Sequence, residues 1–215
     1  MARPPLFLPA YNPTTNHHDR YTMLRTGFFG GSFNPIHNGH IALARQLRQL
    51  AGLDEVWFVV TPLNPFKRDA TDLLDDNERL DMVRKALEGE EGLVASDYEF
   101  HLPQPNYSWK TLRKLSEDYP DRQWVLLIGS DNWLAFDRWG HYEELLQRYE
   151  IVVYPREGYP VDASTLPSTV HLAQTKLYPF SSTDIRHRIA EGEPIDGMLP
   201  PAIQEEACSL YGDIL

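Results

Sequence analysis

The sequence predicts an α/β fold in which a parallel sheet is doubly wound, with helices on both of its faces, in a single domain. Two observations indicate this class. Short apolar segments alternate with amphipathic segments from about residue 26 onward. The apolar segments are hydrophobic at consecutive positions rather than at every second one, which is typical of strands covered on both faces. Together these patterns predict a Rossmann-like sheet.

Four segments are predicted to be strands because apolar residues follow one another in them without a break. They are Thr26 to Phe29, Val56 to Val60, Trp124 to Ile128 and Ile151 to Tyr154. Six further segments are predicted to be helices because leucine, isoleucine or tyrosine recurs at helical spacing. Their apolar positions run from Leu43 to Leu50, Leu80 to Leu87, Leu112 to Leu115, Tyr142 to Tyr149, Ile185 to Ile189 and Ile203 to Leu210.

Residues 23–215 contain no internal repeat and no linker, so this part is predicted to be the single domain. Residues 1–22 precede it as an arm whose prolines disfavour a secretion signal. No apolar run reaches the roughly 20 residues that a membrane-spanning helix needs. The only cysteine, Cys208, excludes an internal disulfide and fits a reducing cytoplasm. Its position in a helical pattern predicts a buried side chain.

The charge balance limits the partners. A formal net charge of −11 argues against nucleic-acid binding, which depends on clustered Lys and Arg to neutralise phosphates. A small phosphate-bearing ligand would have to be held by a few well-placed donors. The homo-oligomeric state is left open.

The stretches that follow the predicted strands are candidates for a ligand site. Ligands of doubly wound sheets bind beyond the carboxyl ends of the strands. Three polar or glycine-rich stretches lie there: Gly30 to Phe33, Thr61 to Lys67, and Gly129 to Asp131. We therefore expect these three stretches to converge in space.

The first of these stretches leads into two histidines, His37 and His40. His40 is predicted to lie in the first turn of the next helix, where free N–H groups and the helix dipole favour an anion. A zinc site usually has three or four protein ligands, and no cysteine and few acids lie nearby. Phosphate contact is therefore favoured over metal ligation and over simple packing in the turn, and no protein-held metal site is predicted.

Two motifs carry a family resemblance. The segment Gly31 to His40 resembles the G-x-F-x-P-x-H-x-G-H signature of the nucleotidyltransferase superfamily. The segment Ser181 to Arg186 resembles the S-S-T-x-I-R element of adenylyltransferases in that superfamily. Both would open helices, so both are predicted to bind phosphate.

A finer resemblance is to the bacterial nicotinate-nucleotide adenylyltransferase family and covers nearly all of residues 23–215. The segments Asn64 to Lys67, Asn106 to Leu112, Ile128 to Asp131, Phe136 to Trp139 and Arg156 to Pro160 resemble further elements of that family. The sequence also departs from the pattern. Asn34 replaces an Asp of many superfamily members, and Asn64, Phe66 and Glu157 replace a Pro, a His and a Pro of the family.

The resemblance implies transfer of AMP from ATP to nicotinate mononucleotide, with Mg²⁺ arriving on the ATP. It implies three catalytic residues: His37, His40 and Arg186. It implies ATP contacts from Gly30, Gly31, Ser32, Phe33, His37, Gly39, His40, Gly129, Asp131, Ser181, Ser182, Thr183 and Arg186. It implies mononucleotide contacts from Asn64, Lys67, Tyr107, Ser108, Trp109, Asp131, Trp139 and Arg156.

In this interpretation Trp139 stacks on the pyridine ring. Selection of the acid over the amide would rest on backbone N–H donors at the helix that begins near Tyr107, and on the absence of a nearby side-chain carboxylate. Such a carboxylate would accept a hydrogen bond from the amide.

Several alternatives stay open. An enzyme that uses nicotinamide mononucleotide, alone or in addition, shares the same motifs. A nucleotide-binding regulator without turnover is a different class, although His37, His40 and Arg186 are retained. Transferases that act on phosphopantetheine or glycerol phosphate are disfavoured by the S-S-T-x-I-R element. A tRNA synthetase fragment is disfavoured by size and acidity.

Overall fold

The computed structural model describes residues 23–62 and 73–212. Within these residues six strands form one parallel sheet in the order β3-β2-β1-β4-β5-β6. The strands are β1 (Leu24–Gly31), β2 (Glu55–Val60), β3 (Leu93–Ser96), β4 (Arg122–Gly129), β5 (Glu150–Tyr154) and β6 (Val170–Leu172). The predicted doubly wound sheet is confirmed, and its order reverses between β1 and β4.

Seven α-helices lie in the described part of the chain. They are α1 (Asn38–Leu50), α2 (Asp76–Ala86), α3 (Ser108–Asp118), α4 (Ser130–Trp133), α5 (Tyr142–Arg148), α6 (Ser182–Glu191) and α7 (Pro201–Gly212). All six predicted helices are present, and α4 is an additional single turn directly after β4. The predicted arm, residues 1–22, lies outside the described residues, as do Asn64 and Lys67.

The alternation of side chains along β4 explains the continuous apolar pattern of the sequence. Val125 and Leu127 belong to a core on one face of the sheet, which α1, α2, α6 and α7 cover. Leu126 and Ile128 belong to a second core on the other face, which α3 and α5 cover. Because successive residues of a strand point to opposite faces, a strand that is buried on both faces must be apolar at every position.

One expectation fails at the surface of the molecule. Cys208 lies exposed on α7, so the prediction of a buried side chain was wrong. The helical pattern placed it correctly in a helix, but Ala207 next to it is the residue that faces the core. Among the described residues no helix is both long and apolar enough to cross a membrane.

Candidate active site at the carboxyl edge of the sheet

Residues 33–40, here called the histidine turn, connect β1 to α1. His37 is the N-cap of α1, and its Nδ1 accepts a hydrogen bond from the backbone N–H of His40 at 3.2 Å. In return, Nδ1 of His40 accepts from the backbone N–H of His37 at 3.3 Å. The two side chains thus form a reciprocal capping box, in which each satisfies a backbone donor that the helix leaves open.

The two imidazole rings are stacked, with centroids 3.6 Å apart. Gly39 permits this arrangement, because a Cβ at that position would lie 2.9 Å from Nδ1 of His37. Phe33 packs edge-on against His40 at 5.2 Å and is itself buried. Phe33 adopts a φ of +45°, in the left-handed region that only the surrounding packing makes tolerable. The two backbone hydrogen bonds and the contact with Phe33 therefore fix the positions of both rings.

Burial sets the protonation of His37. Its side chain is only 6% exposed, and this loss of solvation, reinforced by the nearby positive charge of Arg156, lowers its pKa from 6.5 to about 3, although Asp184 acts in the opposite direction. His37 is therefore neutral at physiological pH. Since its Nδ1 accepts a hydrogen bond, its proton is on Nε2.

Helix α6 brings the second motif to the histidine turn. Nη1 of Arg186 donates to the carbonyl oxygen of Asn34 at 2.7 Å, and Oγ of Ser182 donates to that of Pro35 at 2.9 Å. The start of α6 is closed by its own capping box, in which the carboxylate of Asp184 accepts from the N–H and hydroxyl of Ser181. The two sequence motifs are thus joined across the fold.

The side-chain amide of Asn34 stabilises the histidine turn. Its Oδ1 accepts from the Tyr211 hydroxyl at 2.7 Å and from the Leu74 N–H at 3.2 Å. The amide therefore ties the turn both to α7 and to the segment before α2. These contacts require an oxygen acceptor and no negative charge, which explains how an asparagine serves here.

A third group lies at the end of β4. Nε of Arg156 is 3.8 Å from Oδ1 of Asp131, and the backbone N–H of Arg156 donates to Oγ of Ser130 at 2.8 Å. A Cβ at Gly129 would lie 2.3 Å from Oδ1 of Asp131. The glycine thus leaves room for the carboxylate beside the guanidinium, at the carboxyl edge of the sheet.

A cavity, here called the aromatic cavity, opens at the same edge. Its lining comes from the ends of β1, β2 and β4, the start of α3, and the loop after α4: Phe28, Gly30, Gly31, Thr61, Glu99, Asn106, Tyr107, Ser108, Trp109, Leu126, Leu127, Ile128, Asn132, Trp139, Gly140 and Tyr154. Five residues predicted to bind the mononucleotide or ATP from the segments 107–109 and 30–31 are among them, and so is Trp139. Of the three stretches predicted to converge, Gly30, Gly31 and Thr61 line this cavity, whereas no residue of Gly129 to Asp131 does and β4 contributes Ile128 just before them.

Other predicted residues lie elsewhere. The carbonyl oxygen of Ser32 accepts a hydrogen bond from Nη1 of Arg79, a residue of α2. Thr183 is exposed on the first turn of α6. Three further residues, Gly129, Asp131 and Arg156, lie at or beside the carboxyl end of β4 and are not part of the cavity lining. Nothing is described for Asn64 and Lys67.

Glu99 was missed from the sequence, and it changes the chemistry expected of the cavity. It lies on a 3₁₀ turn (Tyr98–His101), is 3% exposed and lines the aromatic cavity. The expectation that no side-chain carboxylate lies near the mononucleotide segment was therefore wrong. The signal available in the sequence was an acidic residue between two aromatic ones, Tyr98 and Phe100, just before the Asn106–Ser108 element.

Arg79 was also missed. It is fully buried in α2 and its guanidinium donates to four backbone carbonyl oxygens, those of Ser32, Thr61, Pro62 and Leu74. It thus clamps the end of β1, the end of β2 and the start of α2. Its sequence signal was a cation on the apolar face of a helix, four residues before Val83.

The donor set around the histidine turn consists of imidazoles, guanidiniums, hydroxyls and helix N–H groups. In the described part of the chain, no group of three or more His, Cys, Asp or Glu side chains is placed to hold a metal ion. Guanidinium groups, imidazole N–H groups and backbone N–H groups bind anions rather than cations. The arrangement therefore suits an extended polyanion.

The chain is similar to known proteins along most of its length. The cytidylyltransferase-like family matches residues 28–188. A probable nicotinate-nucleotide adenylyltransferase of Bacteroides fragilis is 51% identical over 179 residues, which cover 83% of this chain and 89% of that protein. The corresponding protein of Flavobacterium johnsoniae is 41% identical over 185 residues, covering 85% of this chain and 95% of that protein.

Solved structures show the same fold. Plasmodium falciparum nicotinic acid mononucleotide adenylyltransferase, complexed with NaAD, superposes with a TM-score of 0.73 at 20% identity and covers 87% of this chain and 97% of that chain. A putative nicotinate-nucleotide adenylyltransferase from Vibrio parahaemolyticus superposes with a TM-score of 0.64 at 24% identity, covering 86% and 99%.

Proposed function

The chain belongs to the cytidylyltransferase-like family, and from this premise we propose that it is a nicotinate-nucleotide adenylyltransferase. It transfers AMP from ATP to nicotinate mononucleotide and gives deamido-NAD and pyrophosphate, a step of NAD synthesis. One observation carries the proposal. Helix α6 docks its Arg186 on the histidine turn beside the aromatic cavity, so that a polyanion site and a flat apolar site share one edge of the sheet.

The chemistry requires positioning more than activation. The nucleophile is a phosphate oxygen of the mononucleotide, which is already an anion, and it attacks the α-phosphorus of ATP while pyrophosphate leaves. The protein must bring two polyanions together and stabilise the charge that spreads over the transferring group. A set of donors without a Ser–His–Asp arrangement is suited to this task.

His37 and His40 present their Nε2 atoms to the phosphates. Both Nδ1 atoms accept backbone hydrogen bonds, so Nε2 is the ring nitrogen that is left to donate to a phosphate. His40, inside the first turn of α1, lies where the N–H groups of the helix also favour an anion. We assign His40 to the reacting phosphate and His37 to its neighbour.

Positive charge is supplied by arginine. One N–H of Arg186 donates to the Asn34 carbonyl, which holds the guanidinium charge at the histidine turn, where it suits the β- and γ-phosphates. The backbone N–H groups of Ser182 and Thr183 at the start of α6 add to them. Ser181 contributes by capping the helix, because Asp184 already occupies its hydroxyl.

The pyridine nucleotide occupies the aromatic cavity. Trp139 and Trp109 line it and offer flat faces for the ring, of which we assign Trp139 to the stacking role. Helix α3 begins in the cavity wall, and the N–H groups of Ser108 and Trp109 are suited to the ring carboxylate. Asp131 accepts from a ribose hydroxyl, and Arg156 beside it attracts the mononucleotide phosphate.

Mg²⁺ enters with the ATP. Magnesium binds oxygen ligands and commonly keeps water and substrate phosphates in its shell. Asp131 is the carboxylate at the end of β4, but Nε of Arg156 already lies 3.8 Å from its Oδ1, so the ion would be held largely by phosphate oxygens and water. Bound there, the ion would neutralise charge on the phosphates.

A cytoplasmic location is part of the proposal, because the chain has one cysteine and is thus compatible with a reducing compartment. The homo-oligomeric state is left to measurement.

One observation favours a second candidate, an enzyme that uses the amide mononucleotide. Glu99 is among the residues that line the cavity, and an ionised carboxylate that reached the ring substituent would accept from the amide N–H₂. Pyrophosphate release with ATP and each mononucleotide, measured side by side, decides between them. Turnover of nicotinate mononucleotide with the higher kcat/KM supports the proposal. ATP binding without release of pyrophosphate from either substrate would contradict it and indicate a nucleotide-binding regulator.

A further inference from the structure

The C-terminal segment, residues 195–211, contacts the histidine turn at two places. At the first, the hydroxyl of Tyr211 on α7 donates to Oδ1 of Asn34 at 2.7 Å. At the second, Asn38 donates twice, from its backbone N–H to the carbonyl oxygen of Met198 and from Nδ2 to that of Gly197, each at 2.8 Å. The segment therefore holds the turn both before and after His37.

The contact between Tyr211 and Asn34 is buried. Tyr211 is 1% exposed and Asn34 is 5% exposed. Oδ1 of Asn34 also accepts from the backbone N–H of Leu74 at 3.2 Å, so both lone pairs of this oxygen have a donor. Two donors from separate parts of the chain thus fix the side chain of Asn34 in one orientation.

The backbone of Asn34 in turn positions groups that are assigned to the phosphates. Its carbonyl oxygen accepts from Nη1 of Arg186 at 2.7 Å. His37 follows three residues later, and its ring is stacked on that of His40. A shift of Asn34 would therefore displace the guanidinium and the two imidazoles together. A misplacement of about 1 Å can cost about 10² in rate even when the substituted residue is remote from the reacting atoms.

On the basis of the proposed function, we propose that Tyr211 is a positioning residue for the transfer of AMP. Through Asn34 it holds the histidine turn and Arg186 in the geometry that the reaction requires, without contact with either substrate. Tyr211 lies beyond residues 28–188, which match the family, so that match gives it no role. Among the described residues that line the aromatic cavity, none belongs to α7, so the effect of Tyr211 should be the same with either mononucleotide.

The test is Tyr211→Phe, which removes the hydroxyl and keeps the aromatic ring in the core. Leu74 still donates to Asn34 in this variant, so the turn is loosened and the fold is retained. We expect kcat, measured by pyrophosphate release, to fall about tenfold with both mononucleotides, less than for a full 1 Å misplacement. KM for each mononucleotide should stay unchanged, because the aromatic cavity is left intact.

Tyr149→Phe is the matched control, because it removes a buried hydroxyl of the same kind from the other face of the sheet. Tyr149 is 7% exposed and belongs to the second core, and its hydroxyl forms a hydrogen bond with Oγ of Ser116 at 3.2 Å. Each variant loses one hydrogen bond, so urea unfolding should show similar losses of stability. Tyr149→Phe should keep the wild-type kcat. Equal kcat values in the two variants would show that the Tyr211 hydroxyl serves stability alone and would overturn the inference.

Asn34→Ala removes the acceptor and tests whether Tyr211 acts through it. If it does, kcat of the double variant Asn34→Ala/Tyr211→Phe should be no lower than that of Asn34→Ala alone, because residues in contact do not act additively. Losses that multiply in the double variant would overturn the inference while leaving the proposed function intact. Absence of pyrophosphate release from the wild-type protein with both mononucleotides would instead overturn the proposed function and the inference with it.

Discussion

The two ends of the candidate site bury titratable groups of opposite type. At the histidine turn a base, His37, is kept neutral by burial and by the nearby Arg156. In the aromatic cavity burial raises the pKa of an acid, Glu99, against a smaller lowering by the hydroxyls of Thr111 and Thr61. Burial thus disfavours the charged form of a base at one end of the site and of an acid at the other, and the positive charge of the site is left to the arginines. The comparison shows that the same loss of solvation shifts the pKa values of the two groups in opposite directions.

The two ends also differ in how they are assembled. The histidine turn is local, because its capping box joins residues three positions apart. The aromatic cavity is assembled from separated parts of the chain, including Gly30, Glu99, Trp109 and Trp139. A substitution in the histidine turn should therefore lower turnover equally with either mononucleotide. A substitution in the aromatic cavity should change the binding of the mononucleotide and leave the binding of ATP unchanged.

The largest effect is expected where the two ends are joined, at Arg79. In Arg79→Met the carbonyl oxygens of Ser32, Thr61, Pro62 and Leu74 lose their donor. Each unsatisfied buried group costs about 1–3 kcal/mol, so the free energy of unfolding should fall by about 3 kcal/mol or more. Urea unfolding measures this change.

Arg84→Met is the matched control, because Arg84 lies exposed on the same helix with surface ion pairs to Asp81 and Asp97. Such pairs contribute less than about 1 kcal/mol. Equal losses in the two variants would show that the buried clamp adds nothing to stability.

The next largest effect is expected at His40. In His40→Asn the amide oxygen can still accept from the His37 N–H, as Nδ1 does now, but the Nε2 donor is lost. Removal of one preorganised donor costs about 10²–10³ in turnover. We expect that loss with both mononucleotides, with an unchanged ratio between them and an unchanged midpoint of unfolding.

His171→Asn, at the sheet edge on β6, makes the same substitution away from the site and should retain turnover. Wild-type turnover in folded His40→Asn would remove His40 from the reaction.

The difference between local and distributed assembly also explains what the sequence predicted. The histidine turn was predicted because a glycine-rich strand end, a proline and a helix start are consecutive in the chain. Strands β1, β2, β4 and β5 were predicted because both of their faces are buried. Strands β3 and β6 were missed because they are short, with four and three residues, and only partly buried at the sheet edges.

The missed site residues depend on tertiary contacts. Nothing near Glu99 in the sequence indicates that Thr111 donates to it, and nothing near Arg79 indicates four carbonyl partners from three separate segments. Burial of a charged residue is a property of the packed fold, so periodicity shows at most that such a residue lies on an apolar face.

A smaller effect is expected from pH at the histidine turn. The pKa of His37 is 6.5 unfolded and about 3 folded, so the unfolded state binds more protons between these values. Stability from this group is full above about pH 6.5 and is lost as the pH falls toward 3. At pH 5, about 1.5 units below the unfolded pKa, the free energy of unfolding is lower by about 2 kcal/mol, because each unit corresponds to about 1.36 kcal/mol.

His37→Asn tests this expectation, because asparagine is a favourable N-cap that does not titrate. The wild-type protein should lose more free energy of unfolding than the variant between about pH 7.5 and 5, by the amount given above. Carboxylates titrate alike in both proteins and cancel in the difference. Parallel pH profiles would mean that His37 titrates normally in the folded protein.

The smallest effect is expected at Trp139. In Trp139→Ala the pyridine ring loses a stacking face, which contributes about 0.5–1.5 kcal/mol, so KM for the mononucleotide should rise up to about tenfold while KM for ATP stays constant. Trp133→Ala is the control, because Trp133 packs on the same Phe136 ring, at 5.3 Å, but does not line the cavity. If Trp139→Ala leaves KM unchanged and Trp109→Ala raises it, the stacking face belongs to Trp109. A parallel rise in KM for ATP would contradict the division of the site into two ends, since a change in the aromatic cavity would then reach the phosphates.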